Sequence, residues 1–125
     1  MKLPDPDHPI TIAPANARVR VSFAGKVIAD TTRALVLKEA SYAPVFYIPR
    51  EDADMNLFTR SAHKTHCPYK GDARHFTLDV SGKRAENAAW SYEQPYPAMR
   101  EIEGRIAFYP KRVDEIEVLL LPSSS

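Results

Sequence analysis

The segment THCPYKGDARH, residues 65–75, concentrates the residue types that could carry chemistry in this chain of 125 residues. It contains the only cysteine, Cys67, with His66 beside it and Lys70 three residues further on. A thiol close to cationic groups loses its proton more readily and becomes a better nucleophile. One hypothesis is therefore a thiolate at Cys67 with a histidine as its proton acceptor. The alternative is a half-buried cysteine that packs as a small hydrophobic side chain.

Metal and phosphate sites are weaker interpretations of the same segment. The spacing of the candidate metal ligands matches no standard zinc pattern. These ligands are His63, His66, Cys67 and His75. Lys70 and Gly71 could present an ammonium group and a backbone amide to an anion, but the other residues of a phosphate-binding loop are missing. Gly71 is equally well explained by a positive φ that lets the chain enter a strand at Ala73. We therefore expect no metal ion and no cofactor.

Aromatic side chains with polar tips form a second group of candidates. Trp90 and Tyr92 are two residues apart in a predicted strand and so share one face, while Tyr47 and Tyr109 lie in other predicted strands. Rings from several strands of one sheet can form the floor of a pocket for a planar ligand. The same rings could instead serve only core and rim packing. With two polar residues at strand ends, the predicted ligand-binding residues are Tyr47, Trp90, Tyr92, Glu39 and Arg50.

Alternating apolar residues predict the strands that must position these side chains. ARVRVSF (17–23) places Val19, Val21 and Phe23 on one face, which is typical of a half-buried strand. Similar patterns predict strands at 27–29, 34–40, 45–48, 73–80, 84–92, 105–109 and 115–121. The remaining predictions are helical turns at 51–58 and 97–104, a loop at 65–72, an extended lead-in at 1–16 and a flexible tail at 122–125.

These elements predict a single mainly β domain over residues 1–125. Seven or eight short strands with one or two short helices imply two packed antiparallel sheets or a partly open barrel. The 44% hydrophobic and 26% charged residues are those of an ordinary globular protein.

Charge and targeting features narrow the classes of partner. Seventeen basic and sixteen acidic residues leave a net charge of +1, so no global field attracts nucleic acid or anionic membranes. The first ten residues, MKLPDPDHPI, lack the apolar core of a secretory signal. One cysteine cannot form an internal disulfide. We expect a cytoplasmic protein that binds neither nucleic acid nor membranes.

Several stretches resemble the family catalogued as domain of unknown function 427. They are RVRVSFAGKVIADTT (18–32), APVFYIPREDADM (43–55), THCPYKGDA (65–73), AAWSYEQP (88–95) and GRIAFYP (104–110). The resemblance implies a compact fold similar to the β-tent of methionine sulfoxide reductase B and the thalidomide-binding domain of cereblon. Those relatives usually hold zinc through paired cysteines, which this chain lacks.

The resemblance also bears on function. Relatives on this fold bind small ligands over an aromatic-lined sheet face, which agrees with the choice of Tyr47, Trp90 and Tyr92. The family is also labelled nucleotidyltransferase-like, but the chain has no Gly-Ser pair followed by spaced aspartates that would hold two metal ions.

The leading hypothesis is a β domain that binds an unidentified small molecule. Its pocket would be lined by Tyr47, Trp90 and Tyr92, with Cys67 and Lys70 at the edge. A thiol-dependent enzyme is one alternative, in which Cys67 and Lys70 are the catalytic residues. A structural or partner-binding module is another, in which an open strand edge could join two copies into a homodimer.

Overall fold

The computed structural model describes residues 1–122 and contains ten β-strands and four short 3₁₀ turns. The strands are β1 (Ile10–Pro14), β2 (Ala17–Phe23), β3 (Lys26–Thr31), β4 (Leu35–Glu39), β5 (Val45–Tyr47), β6 (Phe58–Cys67), β7 (Gly71–Val80), β8 (Lys83–Ser91), β9 (Ala107–Phe108) and β10 (Glu115–Leu120). The 3₁₀ turns are Arg50–Asp52, Met55–Leu57, Pro97–Ile102 and Pro110–Arg112.

The strands form three antiparallel sheets. Sheet I has the order β1-β4-β5, sheet II the order β10-β2-β3 and sheet III the order β6-β7-β8-β9. Over residues 1–122 these sheets form no closed barrel. The prediction of a mainly β, antiparallel protein with a few short helical turns is confirmed, with three sheets in place of two.

Buried side chains form two clusters between the sheets. The first joins sheets II and III and includes Val19, Val21 and Leu78, each with no exposed surface. The second joins sheets I and III around Leu37 and Tyr47. The inward direction predicted for Val19 and Val21 is confirmed, because the period of two in β2 sends alternate side chains to one face.

The loop predicted at 65–72 is mostly strand, which corrects the sequence analysis. β6 runs to Cys67, and β7 begins at Gly71 after a three-residue turn. The alternation of apolar residues is absent because β6 is an edge strand whose side chains are mostly exposed and polar. The positive φ predicted for Gly71 is confirmed at +109°.

The N-terminal segment predicted as a lead-in without a periodic pattern contains β1, which pairs with β4 in sheet I. Ile10 and Ile12 pack against the second cluster. Residues 123–125 of the predicted tail lie outside the described residues. No helix of the described chain is long and apolar enough to cross a membrane.

Candidate ligand-binding site

A cavity of about 240 Å³ lies between strands of sheet I and sheet III, beside the second cluster. We call it the aromatic pocket. Five aromatic side chains line it, namely Tyr42, Tyr47, Trp90, Tyr92 and Tyr109. Glu39 and Lys70 add one negative and one positive charge, and Thr65 adds a hydroxyl group. The pocket therefore combines apolar walls with a small number of polar groups, as ligand sites generally do.

Tyr47 and Trp90 hold each other in place across two sheets. The Trp90 indole Nε1 donates a hydrogen bond of 3.3 Å to the Tyr47 hydroxyl oxygen, and the rings meet edge to face with centroids 6.3 Å apart. Burial raises the pKa of Tyr47 and of Tyr92 far above the ordinary value of a tyrosine. Both hydroxyls are therefore protonated at neutral pH and can donate hydrogen bonds to a ligand.

Glu39 is held by two side chains from distant parts of the chain. The Lys70 ammonium donates to one carboxylate oxygen, and His8 Nε2 lies 2.8 Å from the other. His8 is itself stacked on Tyr69, with ring centroids 4.2 Å apart. Burial raises the pKa of Glu39, but the hydrogen bonds from Lys70 and His8 outweigh it and hold the pKa below its ordinary value. Glu39 is therefore ionised beside a cationic Lys70.

Thr65 connects the pocket to a buried histidine. His75 is 1% exposed, and its Nε2 lies 3.0 Å from the Thr65 hydroxyl. Burial, with smaller effects from His63 and Arg112, lowers the pKa of His75, so its ring is neutral. His75 Nδ1 has no hydrogen-bond partner in the described chain. Because an orphaned buried N–H is rarer than an under-satisfied acceptor, we assign the proton to Nε2, which leaves the Thr65 hydroxyl proton free for a ligand.

The structure brings most of the predicted site residues together. Tyr47, Trp90, Tyr92, Glu39 and Lys70 all line the aromatic pocket.

Arg50 and Cys67 do not line the aromatic pocket. Arg50 donates to the Gly104 carbonyl oxygen at 2.6 Å and to Glu93 at 2.9 Å, and its guanidinium lies over the Phe76 ring. Cys67 is a half-buried free cysteine that packs against the second cluster. Both predicted roles stay predictions.

Comparison with known families identifies the family of this chain. The family model described as Domain of unknown function (DUF427) matches residues 11–119. The chain belongs to the DUF427 family. The resemblance found in the sequence is thereby confirmed. A comparison with curated proteins finds no match.

Every residue that lines the aromatic pocket of this DUF427 domain falls within the matched segment, whereas His8 precedes it. Sequence analysis missed Thr65 and His8. Neither residue belongs to a periodic pattern, because Thr65 lies in an edge strand and His8 precedes the first strand. The position of Thr65 depends on the pairing of β6 with β7, and that of His8 on the pairing of β1 with β4.

His63 and His66 of this DUF427 domain make different contacts from β6. His66 Nδ1 lies 2.8 Å from Asp72, whereas the His63 ring lies 4.6 Å from His75 on the opposite face of β6. Within residues 1–122 there is no group of three or more His, Cys, Asp and Glu side chains that could hold a metal ion.

Proposed function

We propose that this DUF427 domain binds a small, uncharged, planar molecule whose edge carries a carbonyl next to an N–H group. The observation that carries the proposal is the ion pair of Lys70 and Glu39 at the wall of the aromatic pocket. The pair presents hydrogen-bond donors and acceptors side by side, and amides and many heterocycles have the complementary edge.

Hydrogen-bonding capacity supports this choice. A lysine ammonium has three donors, and Glu39 takes one of those of Lys70. Each oxygen of Glu39 accepts one hydrogen bond from the chain and has a further lone pair for a ligand. Thr65, Tyr47 and Tyr92 contribute hydroxyl groups to the same cavity.

Charge supports an uncharged ligand. Lys70 and Glu39 neutralise each other, so a charged ligand would find no unpaired opposite charge among these two groups. Burying an unpaired charge is far more costly than burying a neutral polar group that finds its hydrogen bonds. The aromatic walls then contribute apolar contact with the faces of a planar molecule.

Benzamide titration tests the proposal, because benzamide joins a planar ring to a carbonyl with an adjacent N–H. Trp90 is the only tryptophan of the chain and lines the pocket, so its fluorescence reports binding. We expect saturable binding that weakens about tenfold or more in the double variant Glu39→Leu with Lys70→Met, since hydrogen bonds to charged groups contribute about 1.5–3 kcal/mol each.

The matched control replaces an exposed ion pair in the same way, with Arg84→Met and Glu86→Leu. This variant should bind benzamide as the wild type does. The proposal is wrong if toluene binds as tightly as benzamide, or if the pocket variant and the control behave alike. Cys67→Ser separates the thiol-dependent alternative, because our proposal expects unchanged benzamide affinity in that variant.

A further inference from the structure

We infer that the ligand of this domain carries an apolar extension, and that this extension lies in a second cavity beside the aromatic pocket. The inference rests on the proposed function and adds the class of substituent on the planar ligand. The second cavity, which we call the apolar chamber, has a volume of about 350 Å³. Its walls include Val19, Val21, Phe46, Ile48, Phe108 and Val118, and no residue from 1 to 122 with a charged side chain lines it.

The apolar chamber adjoins the aromatic pocket. Ala43, Val45 and Trp90 line both cavities. Ala43 is exposed and carries only a methyl group, whereas Val45 and Trp90 are half-buried beside it. A ligand with its planar part against Trp90 therefore lies next to both cavities and can extend from one into the other along Ala43.

The chamber is open to solvent at one end and reaches the core at the other. Val19, Val21 and Ile48 are fully buried, whereas Pro44, Pro110 and Val118 are exposed. The chamber therefore exposes core side chains to a space that a group from outside can enter.

The lining decides what kind of group fits. Among the described residues of this wall, Trp90 alone has a side chain with a polar atom, and its N–H already donates to Tyr47. Water in such a chamber lacks the two to four polar partners that an ordered buried water needs. Transfer of an apolar group from water into the chamber is therefore favourable. An alkyl chain attached to the planar head is the occupant that fits both cavities.

A series of 4-alkylbenzamides, from benzamide to 4-butylbenzamide, tests the inference on the intact chain by Trp90 fluorescence. We expect the dissociation constant to fall about fourfold for each added methylene, as expected for burial of a CH₂ group, until the chamber is full. Light scattering on the same samples should show that the complex has the mass of the free protein.

Val118→Phe should reduce the gain per methylene to less than twofold while leaving benzamide affinity within about twofold of wild type, because the larger ring occupies the chamber from its open end. The matched control is Val27→Phe, which changes an exposed valine of the same sheet that lines neither cavity. Ile116→Phe is a second blocking variant, and thermal unfolding establishes which variants are folded.

The outcomes separate the two proposals. If benzamide binds as proposed but the wild type shows no gain with chain length, the apolar extension is refuted while the proposed function survives. The inference is equally refuted if both blocking variants keep the full gain, or if longer chains bind only as the protein dimerises, which would assign the chamber to a second copy. If benzamide itself fails to bind, the proposed function fails first.

Discussion

Lys70 is an unusual residue to find enclosed, because lysine is almost never fully buried unless it is paired. It is 8% exposed, its ammonium contacts Glu39, and the same group lies 6.0 Å from the centroid of the Tyr92 ring. Removing two charges from water costs several kcal/mol per ion, which their attraction repays only in good geometry. The pair is therefore weak evidence for stability, and its position in a cavity favours a role in recognition.

The first prediction at this scale concerns the effect of the Glu39–Lys70 pair on the protein's free energy of unfolding. Lys70→Met alone should lower it by about 1–3 kcal/mol, because the half-buried Glu39 would keep only His8 as a partner. Glu39→Leu alone should be destabilising for the same reason. The double variant should be closer to wild type than either single variant, since it leaves no unpaired charge. Urea unfolding of all four proteins at pH 7 measures this, and additive losses would refute it.

Gly71 matters at the scale of the elements because it joins β6 to β7 next to Lys70. Its φ is +109°, and a Cβ atom there would lie 3.5 Å from the Tyr96 backbone nitrogen. That nitrogen donates to the Lys70 carbonyl oxygen at 3.0 Å. The conformation of this turn, and not the space around it, is what requires glycine.

Gly71→Ala should therefore lower the free energy of unfolding by about 1–3 kcal/mol, the usual cost of a residue held in a sparsely populated backbone conformation. Benzamide should also bind this variant more weakly, because Lys70 is the neighbouring residue. Urea unfolding and fluorescence titration measure the two effects. Lys83→Ala, at the exposed first residue of β8 near the other end of β7, is the control and should change neither quantity. A Gly71→Ala protein as stable as wild type would contradict the backbone argument.

The elements also show how far the sequence could predict the structure. Strands with one apolar face, such as β2 with Val19 and Val21, were predictable because burial imposes a period of two. β6 was not, because an edge strand has no buried face to impose that period.

The residues of the candidate site also differ in how well the sequence predicts their positions. Trp90 and Tyr92 were predictable as neighbours because they share one strand face. Arg50 was predicted at the same pocket from its place at a strand end, but the paths of the chain bring it to Glu93 and Gly104. The apolar chamber had no signal in the sequence, since its walls come from different sheets that meet only in the folded protein.

At the scale of the whole molecule, ionisable groups make stability depend on pH in two stages. Burial first, and then the nearby His63 and Arg112, lower the pKa of His75 in the folded protein. Hydrogen bonds from basic partners lower the pKa of five carboxylates, against the opposing effect of burial. These are Asp30, Glu39, Asp52, Asp72 and Glu93.

In both stages the folded protein becomes less stable as the pH falls. As the pH falls below about 6.5, the unfolded chain protonates its histidine before folded His75 does, so stability declines. The carboxylates stabilise the fold above about pH 4 and lose that contribution as the pH falls through their lowered pKa values. Urea midpoints measured from pH 8 to pH 3 should therefore decline first below about 6.5 and again below about 4. His75→Gln should remove only the first decline, and its persistence in that variant would refute the assignment.

The contacts that define the aromatic pocket have a consequence for the order in which the molecule folds. Lys70 and Glu39 are 31 positions apart in the chain, and Tyr47 and Trp90 are 43 positions apart. Contacts of such long sequence separation are formed slowly, because the entropy of closing long loops must be lost before they stabilise the fold. No single hairpin contains all the residues that line the pocket, so a partly folded chain lacks the binding site. Only the complete native state can therefore bind a ligand, and a bound ligand stabilises that state as a whole.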